Sequence, residues 1–391
     1  MKKMKILSLG LCLAMSVSLL AACGGSDNSN ESAQGGSEQQ ESSASAASGA
    51  ASGSASGAAT AASGDTYDVE EMTITMTTTF NENETGGQII KHFEETLAAM
   101  TDGKIKLDVQ YGGTLYDSAG ELEAVSSGAV DMVPLGHMPH TNVLNYLTFP
   151  GFAPGGTQAA LDYFNDLIFE NEETSALIQG EAADNNIIYL NVIAGGANAF
   201  CAKYEFTDLD SLISGSGSFG NMDAAMFEDL GFQVTGTTPP DTYDALQRGL
   251  IDSTQMALAP MVMLSWQDVA SYWALDGTYT AGNMFTYNLD KWNSLSEEQQ
   301  KAIQAAALET EEYSATLYDD AIESDIATVE AATGNKFVEF SDDDIARIWA
   351  ACFDAKADAA ISTCEPNGKG DGIITILEEA AKVTGYNWSA E

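Results

Sequence analysis

Residues 124–132 read AVSSGAVDM, and residues 245–253 read ALQRGLIDS. Each stretch runs through a small and an apolar residue, two polar residues, a glycine, two apolar residues and an aspartate. The aspartates, Asp131 and Asp252, stand 121 positions apart. A glycine just past a helical run suits a left-handed C-cap. The apolar pair after it suits the start of a buried strand. Each stretch therefore predicts a helix, a tight turn and a strand entering a sheet. Ligands of open α/β sheets sit beyond the carboxyl ends of such strands. One copy fits any α/β fold. Two copies at about one lobe's spacing predict two α/β lobes facing each other across a cleft.

The chain begins as a processing signal. Lys2, Lys3 and Lys5 form a basic start, and Ile6 to Leu20 is an apolar stretch too short for a comfortable permanent span. It ends in Leu20-Ala21-Ala22-Cys23-Gly24, the pattern of a bacterial lipoprotein leader, with Cys23 taking the lipid. An ordinary leader with an incidental cysteine is the alternative. Acyl chains at Cys23 would hold the mature N-terminus on the membrane surface. Gly24 to Asp65 is Ser, Ala, Gly, Gln, Asn and Glu, too polar to bury a core. Such a segment has a reach of roughly 35–40 Å.

About 325 residues remain, more than one core comfortably holds. The whole chain has 15 basic against 58 acidic residues, a formal charge of −43, and loss of the three leader lysines takes it to −46. That excludes nucleic acid as a partner, because phosphate binding needs a basic surface. Solubility of an exposed extracellular protein accounts for the acidity. Beyond Cys23, the mature cysteines are Cys201, Cys352 and Cys364. An exported chain meets oxidants, so Cys352 and Cys364 are candidates for a bridge. Three scattered cysteines make no disulfide framework or metal site.

The first lobe opens with a strand over Met72 to Thr78, a helix from Thr85 to Met100, and a strand from Ile105 to Val109. A glycine loop follows at 112–117, then a helix over Ser118 to Ser127 that leads into the first phrase. This is α/β order with parallel crossovers. His137 and His140 stand three apart beyond Pro134, but they lack the further ligands a metal needs. His137 is a better candidate for ligand contact, at a strand's carboxyl end. Tyr146 to Pro154, YLTFPGFAP, is either core or a pocket wall. Ile187 to Val192 predicts a strand, and the polypeptide crosses to the second lobe near Ala194 to Phe200. Asp241 is the expected N-cap of the second phrase's helix. Gly282 to Asn288 predicts the strand that returns.

From Ser296 the pattern turns helical for about 38 residues, opened by Ser296 and Gln299 in capping-box spacing. That length predicts a scaffold helix bracing both lobes. Another helix follows over Phe340 to Ser362. Asn367 to Glu378 has the glycine and final carboxylate of a calcium loop, but Lys369 stands where a ligand belongs. A glycine-rich turn before a last helix is the other reading.

These stretches resemble the extracytoplasmic solute receptors of TRAP transporters, often called C4-dicarboxylate-binding or DctP-type proteins. The resemblance rests on Gly103-Lys104-Ile105-Lys106, GGTLYDSAGELEAVSSGAVDM, YLTFPGF, Asp208-Leu209-x-x-Leu212, LGFQVTGTTPPDTYDALQRGLIDS and Trp292-x-x-Leu295-x-x-Glu298-x-Gln300. It implies a two-lobed periplasmic-binding-protein-like α/β fold with a ligand cleft between the lobes and a long bracing C-terminal helix. The organisation it implies is a leader at 1–22, a lipidated cysteine and linker at 23–65, lobe 1 at 66–195 plus 283–295, lobe 2 at 196–282, and bracing and C-terminal helices at 296–391. It also implies capture of a small organic acid and delivery to an ion-coupled membrane permease, with no cofactor.

The family's usual ligand is a carboxylate gripped by arginine, whose fork suits it bidentately. Here Gly215 falls at that place, Gly195 to Asn198 carry no second arginine, and the chain's only arginines are Arg248 and Arg347. The ligand is therefore expected not to be a simple dicarboxylate, in a pocket of amides, backbone N–H groups and aromatics. Lys203 is the nearby cation that would substitute for the arginine. The candidate contacts are Thr78, Thr79, Phe80, Leu115, His137, Phe152, Asn198, Phe200, Asn221, Tyr243, Gln255, Trp266 and Asn283.

Other functions compete. A secreted hydrolase is disfavoured because the chain has no G-x-S-x-G, no H-E-x-x-H and only three histidines. A ligand-sensing receptor lipoprotein, or the receptor of an ATP-driven importer, would share the cleft.

Overall fold

Both phrases form a helix, a left-handed glycine and a strand. The computed structural model describes residues 66–390 except 137, 150, 215, 220–223 and 333. The leader, Cys23, the 24–65 segment, His137, Gly215 and Asn221 lie outside the described residues. Strand β1 (Met72–Thr77) leads to helix α1 (Thr85–Met100), β2 (Ile105–Gln110), α2 (Glu121–Ser126), β3 (Met132–Leu135) and β4 (Phe152–Pro154). Helices α3 (Thr157–Asn165) and α4 (Glu172–Asp184) precede β5 (Ile187–Ala202). Next come α5 (Leu209–Ile213), β6 (Ser216–Phe219), α6 (Ala224–Asp229), β7 (Gln233–Val234), α7 (Pro239–Arg248), β8 (Ser253–Ala257) and α8 (Leu258–Met263). The chain continues through β9 (Tyr272–Asn288), α9 (Leu289–Ser294), α10 (Glu297–Ala331), β10 (Lys336–Phe337), α11 (Asp342–Cys364) and α12 (Gly370–Thr384).

Gly128 and Gly249 close α2 and α7 at φ 74° and 71°, where a Cβ would be strained. After Gly128, Asp131 pins β3 to β1: its Oδ2 accepts the Thr75 N–H at 2.6 Å and the Thr75 hydroxyl at 2.7 Å. Its Oδ1 pairs with Lys291 on α9. After Gly249, the Asp252 carbonyl accepts the Lys203 N–H at the end of β5. The aspartates of the two phrases fasten the start of each strand. Thr238, not Asp241, stands at the N-cap position of α7, and its side chain makes no cap hydrogen bond. Pro239 and Pro240 occupy the first turn, where a missing N–H costs nothing, and Asp241 instead accepts the Thr238 hydroxyl.

The strands join one sheet in the order β2-β1-β3-β9-β5-β8-β6-β7, with β4 and β10 also on β9. β1, β2 and β3 run parallel, and so do β6, β7 and β8. Two long antiparallel strands, β5 and β9, join the sets. The sequence predicted only the ends of these strands. The stretch between them is small and polar, AGGANA on β5 and DGTYTAG on β9, and reads as loop by composition. It stays extended because the two strands pair with each other, although their register shifts four times between Tyr189 and Ala199.

Both faces of the sheet are covered. Ile74, Met76 and Phe93 pack with Ala302, Ile303 and Ala306 of α10. Leu161, Phe164, Phe353 and Ile376 fill the opposite face. Leu246, Leu258, Met261 and Trp266 form a third core around α7 and α8.

Helix α10 has 35 residues and carries the expected capping box at Ser296 and Gln299. It braces the irregular part of β5 through polar groups. Gln304 donates to the Leu190 carbonyl, Glu311 accepts the Val192 N–H at 3.2 Å, and Ser314 accepts the Ala194 N–H at 2.9 Å. Shifted ladders leave backbone donors that must find partners, and α10 supplies them. His92 on α1 stacks on Tyr313 and bonds Glu309 at 2.7 Å, tying α10 to the β1 side.

Of the C-terminal expectations, the disulfide fails and the glycine-rich turn before a last helix holds. Cys352 and Cys364 are buried thiols on one helix and form no disulfide. Twelve helical residues put their Cα atoms about 18 Å apart, beyond the reach of a disulfide. Lys369 is the first residue before α12 and pairs with buried Glu181, which also accepts the N–H groups of Asn145 and Tyr146. That part of the chain is a turn and a helix start anchored by a cation. No helix among the described residues is long and apolar enough to cross a membrane.

Candidate functional site

The sheet's register locates the site. Leu135, the last residue of β3, pairs with Met284 of β9, which pairs with Val192 of β5. From there β3 points toward higher numbers on β5. Ala257, the last residue of β8, pairs with Asn198 and points the other way. The carboxyl ends of the two parallel sets therefore converge on residues 193–197 of β5 and 279–283 of β9, where α/β sheets bind ligands.

This stretch is lean. Thr280 donates to the Gly196 carbonyl at 3.0 Å. A Cβ on Gly282 would lie 2.4 Å from the Ala194 carbonyl oxygen, so only glycine lets β9 approach β5 there. β4 runs beside it, with Phe152 opposite Thr280.

The candidates fall into three groups. Thr78, Thr79 and Phe80 follow the carboxyl end of β1, clasped by the β2 loop: Gly112 and Gly113 donate to the carbonyls of Phe80 and Thr78. Leu115 on that loop is 58% exposed. Asn283 stands beside Gly136 at the end of β3 and donates to the Pro134 carbonyl at 2.9 Å. Phe152 is half-buried with Lys356 over its ring. On the β8 side, Asn198 donates to the Thr278 hydroxyl and Gln255 to Asp276 at 2.6 Å.

The third group is elsewhere. Phe200 is fully buried against Phe227, Phe232 and Phe340. Trp266 is buried and Tyr243 half-buried in the core of α7 and α8. Helices on both faces make alternate residues of β5 inward-facing on one side or the other, so Phe200 has no open side. Lys203 lies at the amino end of β8, donating to the Leu246 carbonyl at 2.6 Å as a cap on α7. It is turned away from the strand ends and does not replace an arginine there. Arg248 is exposed beside Asp244, and Arg347 pairs with Asp210 at 2.9 Å and with Asp344.

Sequence reasoning passed over several buried polar groups. Asp276, fully buried, accepts from Gln255 and from both the N–H and the hydroxyl of Thr278. Gly277 beside it, at φ 77°, was the signal that β9 bulges. Glu121 is 2% exposed at the start of α2, with its carboxyl against the Thr79 backbone. Burial pushes that carboxyl up to about 8, with Asp117 adding to the shift. Burial lowers the His140 imidazole, and the Ser118 backbone opposes that shift. A groove of about 370 Å³ between Tyr67, Trp292 and α10 lies at the amino edge of the sheet, away from the convergence.

Residues 76–358 match the family described as bacterial extracellular solute-binding protein, family 7, or DctP. The chain belongs to this family. As a family 7 protein it binds solutes outside the cytoplasm and is not an enzyme. It is 24% identical to a solute-binding protein of Roseobacter denitrificans over 69% of this chain and 82% of that one. A TRAP periplasmic solute-binding protein of Rhodobacter sphaeroides, described as apo and open, superposes with a TM-score of 0.70 at 15% identity, covering 80% of this chain and 99% of that one. A TRAP periplasmic protein of Chromohalobacter salexigens with bound d-glucuronate gives 0.61 at 17% identity, over 79% and 99%. The shared fold is the two-lobed α/β form with a long C-terminal helix, as the sequence predicted.

Proposed function

We propose that this receptor captures a small organic solute where its two sets of strand ends converge and hands it to a TRAP-type, ion-coupled permease. The lobes are residues 66–195 with 283–295, and residues 196–282, joined through β5 and β9 and braced by the helices of 296–391. The leader at 1–22 is removed, Cys23 carries the lipid, and residues 24–65 tether the body to the membrane. Replacing Cys23 with Ala should release the protein from the membrane fraction, and retention there would sink the anchor.

The ligand contacts come from Thr78–Phe80, Leu115, His137, Phe152, Asn198, Asn221, Gln255 and Asn283. Phe200, Tyr243 and Trp266 belong to the core and not to these contacts. The observation that carries the ligand's class is the placement of the arginines. Both sit in surface ion pairs, so nothing comparable to a guanidinium fork reaches the convergence from the described residues. The solute is therefore not a simple dicarboxylate.

A thermal-shift screen of the mature chain against small metabolites tests this reading. A true ligand at 100 times its Kd adds about 2.7 kcal/mol of stability. Succinate, malate and fumarate should be silent, and micromolar binding of any of them would overturn the ligand class. No stabilisation by any compound of a broad library would count against the receptor reading itself.

A further inference from the structure

Three buried polar atoms at the carboxyl end of β1 have no hydrogen-bond partner among the described residues: Thr77 Oγ1, Glu121 Oε1 and His140 Nε2. Their side chains are 0%, 2% and 4% exposed. They are neighbours through one turn. His140 lies against the backbone of Ser118, three residues before Glu121, and Glu121 lies against the backbone of Thr79, two residues after Thr77. Buried polar atoms are nearly always paired, so a cluster of three points to a partner that comes from outside.

The protonation states say what kind of partner. A carboxyl pushed up to about 8 carries its proton at pH 7. Its unpartnered Oε1 can then present an O–H donor. His140 stays neutral because burial lowers it, and its unpartnered Nε2 is an acceptor in the tautomer that carries the proton on Nδ1. Thr77 adds a hydroxyl that does either. A donor beside an acceptor matches a group that both accepts and donates. A carboxylate only accepts, and an ammonium only donates.

We propose that Thr77, Glu121 and His140 form a subsite for a hydroxyl group of the captured solute, so that the receptor selects polyhydroxylated molecules. This rests on the receptor function proposed above and names the ligand chemistry of its first lobe. The absent arginine grip and the present hydroxyl grip are two sides of one selectivity.

The test uses the mature full-length chain, with two thermal-shift panels followed by calorimetry. One panel holds hexoses, hexitols, sugar acids and nucleosides; the other holds hydroxyl-free mono- and dicarboxylates. Hits are expected from the first panel. Deoxy analogues of the best hit are then compared in wild type, Glu121→Gln, Glu121→Leu and His140→Phe. In wild type, loss of one particular hydroxyl should weaken binding at least about tenfold. Glu121→Gln keeps a donor and should keep that discrimination. In Glu121→Leu and His140→Phe the hydroxylated and deoxy compounds should bind alike, a comparison that cancels general damage to the fold. Full discrimination in both apolar variants, or no hydroxyl-dependent hit in wild type while hydroxyl-free acids bind, overturns the subsite and leaves the receptor standing. Failure of both panels to stabilise wild type removes both.

Discussion

The N–H of Ala194 donates to the hydroxyl of Ser314 at 2.9 Å. One residue is on the crossing strand β5 and the other midway along α10, and the bond sits where the β5–β9 ladder changes register. Ser314→Ala would leave a buried donor unpaired, which costs about 1–3 kcal/mol. Urea denaturation should show that loss, whereas replacement of exposed Ser324 on the same helix should change little. Equal stability of the two variants would mean that α10 does not brace the strand.

Gly282→Ala places a methyl 2.4 Å from the Ala194 carbonyl oxygen and 2.7 Å from that of Ile193. Both obstacles are backbone, so β5 and β9 must part. The expected loss is about 1–3 kcal/mol or more. Gly180→Ala, with open space around it inside α4, is the control and should be neutral or slightly stabilising.

Lys369→Met should be among the costliest single changes outside the main core. Glu181, with its side chain 3% exposed, would keep its backbone donors but lose its counter-charge. Breaking such a pair costs about 3–5 kcal/mol. Adding Glu181→Gln should recover part of that loss, because the buried charge goes with its partner. A double variant no better than Lys369→Met alone would assign the loss to the lysine ammonium's place over the Tyr146 ring.

Glu121 makes stability depend on pH. Its folded carboxyl, held up at about 8, binds a proton more tightly than the unfolded one at 4.5. The folded state therefore holds more protons between those values, and stability falls as pH rises. The contribution is whole below about pH 4.5 and lost on passing through about pH 8, on the order of a few kcal/mol in all. Thermal melts from pH 5 to 9 should slope downward in wild type and more weakly in Glu121→Gln. Parallel slopes would refute the assignment.

The sequence made the periodic parts legible. The bounds of α1 match their expectation residue for residue, and α10 begins at the predicted capping box. Both signals are local: a glycine, a capping pair and a 3.6-residue repeat. The middle of β5 and β9 was not legible, because Ala194–Ala199 is small and polar. Its extended form comes from pairing with residues more than 70 positions away. Phe200 and Trp266 could not be told from pocket aromatics for the same reason: which face is covered depends on helices distant in sequence. Glu121 was missed because a glutamate in the first helical turn usually reads as a solvated, dipole-favoured charge. Only the fold shows it turned inward.

Ser271 N–H donates to the Ala202 carbonyl at 3.0 Å, and Tyr272 pairs with Ala202 in the ladder. The stretch from Lys203 to Ser271, which carries β6, β7 and β8, thus departs from β5 and returns to β9 at a single doorway. A segment with coincident ends can be swapped for a counterpart of different length while the frame it plugs into keeps its geometry. Chimeras joined at that doorway would transplant β6, β7 and β8 with their helices in a single step.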